Sequence, residues 1–228
     1  MPTAEELGIL ALSLKVAFWA MAWSLPPAIA VAWVLARRDF PGKTLFDAVV
    51  HLPLVLPPVV VGFALLVLFA RSGPIGRVLE PLGIVFSFRW SGAALAAAIM
   101  GFPLLVRAVR LAFESIDPRL ERAARTLGAG PWRVFFTVSL PLAVPGVVTG
   151  ALLAFARCLG EFGATITFVS NIPGETQTLP LAIYTATQTP GGDAQALRLA
   201  VFSVAISLAA LALSEWLVRR SRQATGHA

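Results

Sequence analysis

Residues 117–141 read DPRLERAARTLGAGPWRVFFTVSLP and separate two long apolar stretches of the chain. Asp117 suits the N-cap of a helix and Pro118 its first turn, because Asp accepts bonds from free backbone N–H groups and Pro has no N–H to satisfy. Gly128 suits the left-handed residue that ends a helix, and a second short helix begins at Pro131. The sequence therefore predicts two short helices that interrupt an otherwise apolar chain.

The composition around this segment excludes an ordinary soluble protein. Of the 228 residues, 57% are hydrophobic and only 13% are charged, and the mean hydropathy is +0.81. Soluble domains carry about 25% charged residues. A chain this poor in charge is instead typical of a protein that is embedded in a lipid bilayer.

Working outward from residues 117–141, we find stretches that approach the ~20 apolar residues needed to cross a bilayer. They are residues 9–36, 49–70, 91–113, 142–168 and 197–218. The sequence therefore predicts an all-α membrane protein with about five spans and a single domain over residues 1–228. Residues 177–188 could form a short surface or re-entrant helix, which leaves a sixth membrane element open.

The interiors of the predicted spans indicate close packing and bending. Small residues recur at four-residue spacing in the third and fourth spans, where they predict close approach of helices within the chain. They are Ala93, Ala97, Gly101, Gly146, Gly150 and Ala154. Prolines inside the spans predict kinks, which membrane helices tolerate where protein or a wet cavity satisfies the freed backbone. Such breaks favour a protein that moves or lines a pathway.

The distribution of Lys and Arg predicts the orientation, because basic residues of membrane proteins stay on the cytoplasmic side. With the N-terminus outside, twelve basic residues lie on the cytoplasmic side: Arg37, Arg38, Lys43, Arg107, Arg110, Arg119, Arg122, Arg125, Arg133, Arg219, Arg220 and Arg222. Only Arg71, Arg77 and Arg89 then lie outside. The sequence predicts an N-out, C-in protein, and this topology accounts for the net charge of +6 without nucleic acid as a partner.

A spaced set of small and apolar residues within the opening segment is distinctive. It consists of Ala123, Ala124, Gly128, Val138, Leu140 and Pro141. The spacing resembles the EAA loop of ABC-type importer permeases, in which this loop forms a coupling helix that inserts into a groove of the ATP-hydrolysing subunit. The resemblance implies an ABC importer permease fold with a cytoplasmic coupling loop at residues 117–141.

The same resemblance implies which residues couple to the ATPase. They are Glu121, Arg122, Ala123, Ala124, Gly128, Leu140 and Pro141. Arg122 stands where the family usually has Glu, and Glu121 precedes it by one position. The acidic contact to the ATPase is therefore either made by Glu121 or missing.

Two further stretches, residues 51–76 and 159–193, are similar to the molybdate permease subunits of these importers and, more loosely, to their tungstate and sulfate relatives. The resemblance covers nearly the whole chain and implies a molybdate importer in the bacterial inner membrane. A tungstate or sulfate permease is the alternative within the family. A self-contained secondary transporter fits less well, because about five spans do not divide into two equal inverted repeats.

The partners follow from the same resemblance. It implies a homodimer of permeases, two cytoplasmic ATP-binding subunits and an external molybdate-binding protein. The chain has no G-x-x-x-x-G-K-[ST] motif, so we expect it to hold no cofactor and the partner subunit to bind ATP and Mg²⁺. No spacing of His, Cys or carboxylates predicts a metal site or a catalytic residue.

Charges inside a span are costly and suggest function. Arg157 and Glu161 lie four residues apart on one helix face, where they form either a structural ion pair or an anion-attracting step of the pathway. Four polar residues follow them: Thr165, Thr167, Ser170 and Asn171. Hydroxyl and amide donors suit a tetrahedral oxyanion, although such groups more often bond to the helices themselves. We treat these six residues as the candidate ion pathway.

Overall fold

The computed structural model describes residues 3–224, with the side chains of residues 211, 214, 215 and 217–224 left out. The described chain forms eleven α-helices: α1 (Ala4–Arg37), α2 (Lys43–Val55), α3 (Pro58–Phe69), α4 (Gly76–Leu79), α5 (Trp90–Glu114), α6 (Pro118–Thr126), α7 (Pro131–Val134), α8 (Leu140–Leu159), α9 (Gly163–Val169), α10 (Leu179–Gln188) and α11 (Asp193–Ala224). A π-helical turn, Phe135–Ser139, joins α7 to α8. The predicted all-α class is confirmed.

Among the described residues, four helical segments are long and apolar enough to cross a membrane, namely α1, α5, Pro131–Leu159 and Asp193–Ala210. The pair α2 and α3 makes a fifth span if the two are counted together, although their axes meet at 109°. The expected single span over residues 49–70 is therefore two half-length helices. The break follows from Pro57 and Pro58, because proline lacks an N–H and forces the preceding residue into an extended conformation; Leu56 has φ −70° and ψ 142°.

The expected span over residues 142–168 is also divided. Helix α8 ends at Leu159, and α9 begins at Gly163. Glu161 accepts a hydrogen bond from the backbone N–H of Ala164, which satisfies one of the free donors at the start of α9. The segment at residues 177–188, left open between a loop and a short helix, contains helix α10.

Helix α5 lies at the centre of the bundle, between α1 and α8. The small residues of α8 lie against it: a Cβ atom on Gly146 would stand 2.3 Å from the Cβ of Ala112, and one on Gly150 would stand 2.8 Å from the Cβ of Ala108. The predicted close packing within the chain is confirmed for these two positions. No larger side chain fits between α5 and α8 there without displacing a helix.

The bundle has two ends, which we name by their short helices. At the α10 end, the carboxylate of Glu6 is fully buried and accepts a 3.0 Å hydrogen bond from Arg198, which joins the start of α1 to α11. There too the ammonium of Lys15 lies 3.7 Å from the ring centroid of Trp90, a cation–π contact. The α6 end holds the last turn of α1 and the segment from α6 to the π-helical turn.

The basic residues used to predict the orientation differ in their placement. Arg107 and Arg110 lie within the last two turns of α5 rather than in a connection between helices. The side chains of Arg219, Arg220 and Arg222 fall outside the described part of the chain. The remaining predicted cytoplasmic residues lie at the α6 end, and Arg71, Arg77 and Arg89 lie on the connection between α3 and α5.

Candidate functional site

Helix α6 has both of the caps that its sequence predicts. The carboxylate of Asp117 accepts a 2.9 Å hydrogen bond from the backbone N–H of Arg119. At the other end Gly128 has φ +84°, and its N–H donates to the carbonyl of Arg125 while the next N–H donates to Ala124. This pair of bonds is the pattern with which a left-handed residue closes a helix. The ends of α6 are therefore set by its own local sequence.

The carboxylate of Glu121 faces the inside of the protein. The residue is 6% exposed, and its Oε1 atom accepts hydrogen bonds from Arg37 Nε and from Ser139 Oγ, each at 2.9 Å. Arg37 also donates from Nη2 to the carbonyl of Ile116 at 3.2 Å. Glu121 thus joins α6 to the last turn of α1 and to the π-helical turn. Arg122, the next residue, is exposed.

An exposed apolar surface lies on the segment from α6 to the π-helical turn, and we call it the loop surface. Its members are Leu120, Ala123, Leu127, Trp132 and Phe136, and Leu127 and Trp132 are 88% and 70% exposed. Exposed arginines surround it at positions 119, 122, 125 and 133. Of the other predicted coupling residues, Gly128 is exposed and Ala124 is half-buried, whereas Leu140 and Pro141 form the first turn of α8.

Aromatic side chains fix the loop surface to the bundle. The rings of Trp33 and Trp132 stack with centroids 6.3 Å apart, which links α1 to α7. Phe135 is buried, with its ring 5.3 Å from that of Trp33 and 6.2 Å from that of Phe113 on α5. These contacts hold the base of the surface against two long helices.

The predicted pair Arg157 and Glu161 is formed within the bundle. Arg157 Nη1 lies 2.7 Å from Glu161 Oε2, and the side chain of Glu161 is only 2% exposed against 35% for Arg157. The other carboxylate oxygen, Oε1, accepts the N–H of Ala164 at 2.9 Å. Glu161 therefore has two structural partners, and one flank of the Arg157 guanidinium remains accessible.

The four polar residues after this pair have separate surroundings. Thr165 is buried, and the hydroxyl of Thr167 donates to the carbonyl of Gly163 within its own helix. Ser170 ends α9 with a positive φ of +64°. Asn171 donates from Nδ2 to Thr185 Oγ1 at 2.7 Å, which links the turn after α9 to α10. Each of Thr167 and Asn171 has a hydrogen bond within the protein, as expected when such groups support helices.

A second polar cluster, which sequence reasoning missed, links α2 to α5. Arg110 donates from Nη1 to Asp47 Oδ2 at 3.0 Å and from Nε to Glu114 Oε1 at 2.7 Å. His51 Nδ1 lies 2.9 Å from the carbonyl oxygen of Asp47. These residues and Arg107 line a cavity of about 270 Å³. Across the described residues, no group of three His, Cys, Asp or Glu side chains could hold a metal ion.

Comparison with known proteins shows the family to which this chain belongs. The sequence profile of the family described as "Binding-protein-dependent transport system inner membrane component" matches residues 28–223. The chain belongs to this family. This permease is 60% identical over 225 residues to the molybdenum transport system permease protein ModB of Escherichia coli K12, covering 98% of both chains. It is 58% identical over 222 residues to the protein of the same name from Haemophilus influenzae, covering 97% of both.

A solved structure supports the fold of this permease. It is the bacterial alginate ABC transporter in complex with an alginate pentasaccharide-bound periplasmic protein, with a TM-score of 0.74 and 17% sequence identity over 96% of this chain and 80% of that one. At that identity the likeness shows the fold alone. The predicted membership in the family of binding-protein-dependent permeases is confirmed, and the permease is a multi-pass membrane protein.

Proposed function

We propose that this chain is the membrane permease subunit of an ATP-driven importer that carries molybdate into the cytoplasm, and that residues 1–228 act as one permease domain. The observation that carries the proposal is the 60% identity to a molybdenum transport permease over 98% of both chains. The chain is thus a transport subunit rather than an enzyme. Energetics agree, because moving a dianion against an inside-negative potential costs about 2 × 2.3 kcal/mol per 100 mV.

The loop surface is the proposed docking site of a cytoplasmic ATP-binding subunit, which holds the ATP and Mg²⁺. Large apolar side chains that are exposed in water mark sites of protein interaction. Leu127 and Trp132 are of this kind, and the surrounding arginines suit an acidic rim on the partner. Leu140 and Pro141 start α8, so their proposed part is to carry motion from the loop surface into that helix.

The N-out, C-in orientation is proposed from the charge asymmetry, with the α6 end in the cytoplasm and the α10 end outside. The alginate transporter was solved with a periplasmic protein bound, and we propose that an external molybdate-binding protein docks at the α10 end. The family description supports an inner-membrane location.

A second permease copy is proposed because no residue of α2 is buried, and half-length helices need protein neighbours to lie within a bilayer.

The test is uptake of labelled molybdate at nanomolar concentration by cells with and without this chain, with excess tungstate or sulfate as competitor. We expect uptake to disappear without the chain and to be blocked mainly by tungstate. Inhibition of uptake mainly by sulfate would assign the chain to the sulfate permeases of the family. Unchanged uptake in cells with no redundant importer would overturn the molybdate proposal.

Replacement of Gly128 by valine tests the docking role of α6. Gly128 has φ +84°, where a β-branched residue is strained by about 1–2 kcal/mol, so the end of α6 should open. We expect the variant to insert into membranes but to co-purify with less of the ATP-binding subunit. Gly130→Val is the matched control, because Gly130 has φ −68° and ψ 165° and open space around its Cβ position. Equal co-purification of both variants would contradict the docking role.

A further inference from the structure

The cations at the α10 end differ in how far they are already paired. Arg198 is bonded to the buried carboxylate of Glu6, and Lys15 lies over the ring of Trp90. Arg71 lies 3.7 Å from Glu80, but both side chains are largely exposed, and such pairs are worth little. Arg89 has no ion-pair partner among the described residues. Arg71 and Arg89 are thus available to bind an anion.

These two arginines line one cavity. It has a volume of about 480 Å³ and lies between the end of α3 and the start of α5, with Ser72 and Ser87 also on its wall. The lining holds two cationic side chains and no acidic one, and the carboxylate of Glu80 reaches Arg71 from outside it. Guanidinium groups present a planar set of N–H donors that matches the oxygens of a tetrahedral oxyanion. The cavity therefore has the charge and the donors that a molybdate-like dianion requires.

Local hydrogen bonds shape the chain on both sides of the cavity. After α3 the backbone N–H of Gly73 donates to the carbonyl of Ala70 at 2.7 Å, which turns the chain directly beside Arg71. Before α5 the hydroxyl of Ser87 donates to the carbonyl of Phe69 at 3.0 Å. The connection therefore leaves α3 and returns to it, which brings the two ends of the segment together.

The residue before Arg89 has a strained backbone. Phe88 has φ +59°, and its side chain is half exposed, so packing of the ring does not explain the conformation. A bulky residue in this region costs of order 1–3 kcal/mol, and retained strain of this kind is concentrated at functional sites. Here the turn at Phe88 directs the chain into α5 with Arg89 at the rim of the cavity.

We propose that this cavity is a low-affinity receiving site for tetrahedral dianionic oxyanions at the outer mouth of the permease. The proposal rests on the proposed function, because it assumes that substrate arrives at the α10 end. An open site with two arginines binds weakly, as a pathway requires, since an ion that is held tightly does not move on. The site shares no lining residue with the pair Arg157 and Glu161, and it supplies substrate to the pathway.

The first experiment maps the accessibility of arginine guanidinium groups in the purified permease with its ATP-binding subunits, in detergent and a phosphate-free buffer. Phenylglyoxal modifies exposed arginines, and mass spectrometry measures the extent at each position. We expect molybdate and sulfate to protect Arg71 and Arg89, and to leave Arg77 unprotected. Arg77 is the matched control, because it is exposed on the same connection but does not line the cavity.

Other outcomes of this mapping would overturn the proposal. Protection by anionic lipid vesicles but not by molybdate would assign the cavity to lipid phosphate. Protection by the ligand-free binding protein but not by molybdate would make it a protein contact. Equal protection of Arg71, Arg77 and Arg89 would show that no site exists.

The second experiment compares uptake at limiting molybdate. We expect Arg71→Ala/Arg89→Ala to lower the rate by about tenfold and Arg77→Ala to stay within about twofold of the parent. An equal loss of uptake in Arg71→Ala/Arg89→Ala and in Arg77→Ala would contradict the proposed site. If the parent protein shows no molybdate uptake, the proposed function fails; if the parent transports but Arg71 and Arg89 behave as Arg77 does, only the receiving site fails.

Discussion

Replacing Glu121 by alanine is expected to lower the free energy of unfolding by about 3–5 kcal/mol, the usual cost of removing one member of a buried ion pair. The substitution leaves the guanidinium of Arg37 without its carboxylate and the hydroxyl of Ser139 without its acceptor. Because these bonds join α6 to α1 and to the π-helical turn, we also expect the ATPase activity of the assembled complex to lose its dependence on loaded binding protein.

Thermal unfolding in detergent measures the first effect. Cys158 is the single cysteine of the chain and is buried, so a thiol-reactive dye reports when the bundle opens. Arg122→Ala is the matched control, because Arg122 is the exposed neighbour of Glu121 on α6. An Arg122→Ala protein that unfolds as early as Glu121→Ala would show that the inward bonds do not stabilise the fold.

A double variant identifies the cause of the Glu121 effect. If the penalty comes from an unpaired charge, removing the second charge as well should restore part of the stability. Arg37→Ala/Glu121→Ala should therefore unfold later than Glu121→Ala alone. Purely additive losses would contradict the buried-pair explanation.

Replacing Arg157 by alanine is expected to have an effect of similar size. The carboxylate of Glu161 is 2% exposed, and without Arg157 it keeps only the N–H of Ala164 as a partner. An uncompensated charge at this position should cost about 3–5 kcal/mol and lower the folded yield in membranes. The measurements are the amount of monodisperse protein extracted and the unfolding temperature reported by Cys158.

The matched variant is Arg157→Ala/Glu161→Gln, in which the neutral amide oxygen can still accept from Ala164. We expect this double variant to recover most of the folded yield. Its uptake then reports on the pathway alone: restored yield with restored uptake assigns Arg157 a structural role, whereas restored yield without uptake supports a role for its charge in conduction. Normal yield of Arg157→Ala alone would contradict the structural interpretation.

The parts of the fold that were predicted correctly depend on short stretches of chain. The helical class follows from long apolar segments, and the caps of α6 follow from Asp117, Pro118 and Gly128, whose backbone preferences act within one turn. The break between α2 and α3 also has a local cause, the prolines at positions 57 and 58. The predicted span over residues 49–70 merged the two helices, because a count of apolar residues measures the length of a stretch and not the direction of its helices.

The candidate site was predicted only in part, and the reason is again physical. Arg157 in the last turn of α8 and Glu161 just after it are only four residues apart, so local chain geometry places them together. Glu121 meets Arg37 across 84 residues and Ser139 across 18, and Arg110 meets Asp47 across 63. No local pattern indicates such pairs, because any of several charged residues could have filled each position.

By itself, the sequence determined that this protein is a helical membrane protein of a recognisable family, where α6 begins and ends, and which charged pair forms at the end of α8. These properties depend on apolar length, proline chemistry and glycine at positive φ, all of which act between near neighbours. Only the tertiary structure decided that Glu121 pairs with Arg37 and Ser139, and that Arg71 and Arg89 share a cavity. Those facts depend on how helices far apart in the chain pack, which brings together groups that have no relation in sequence.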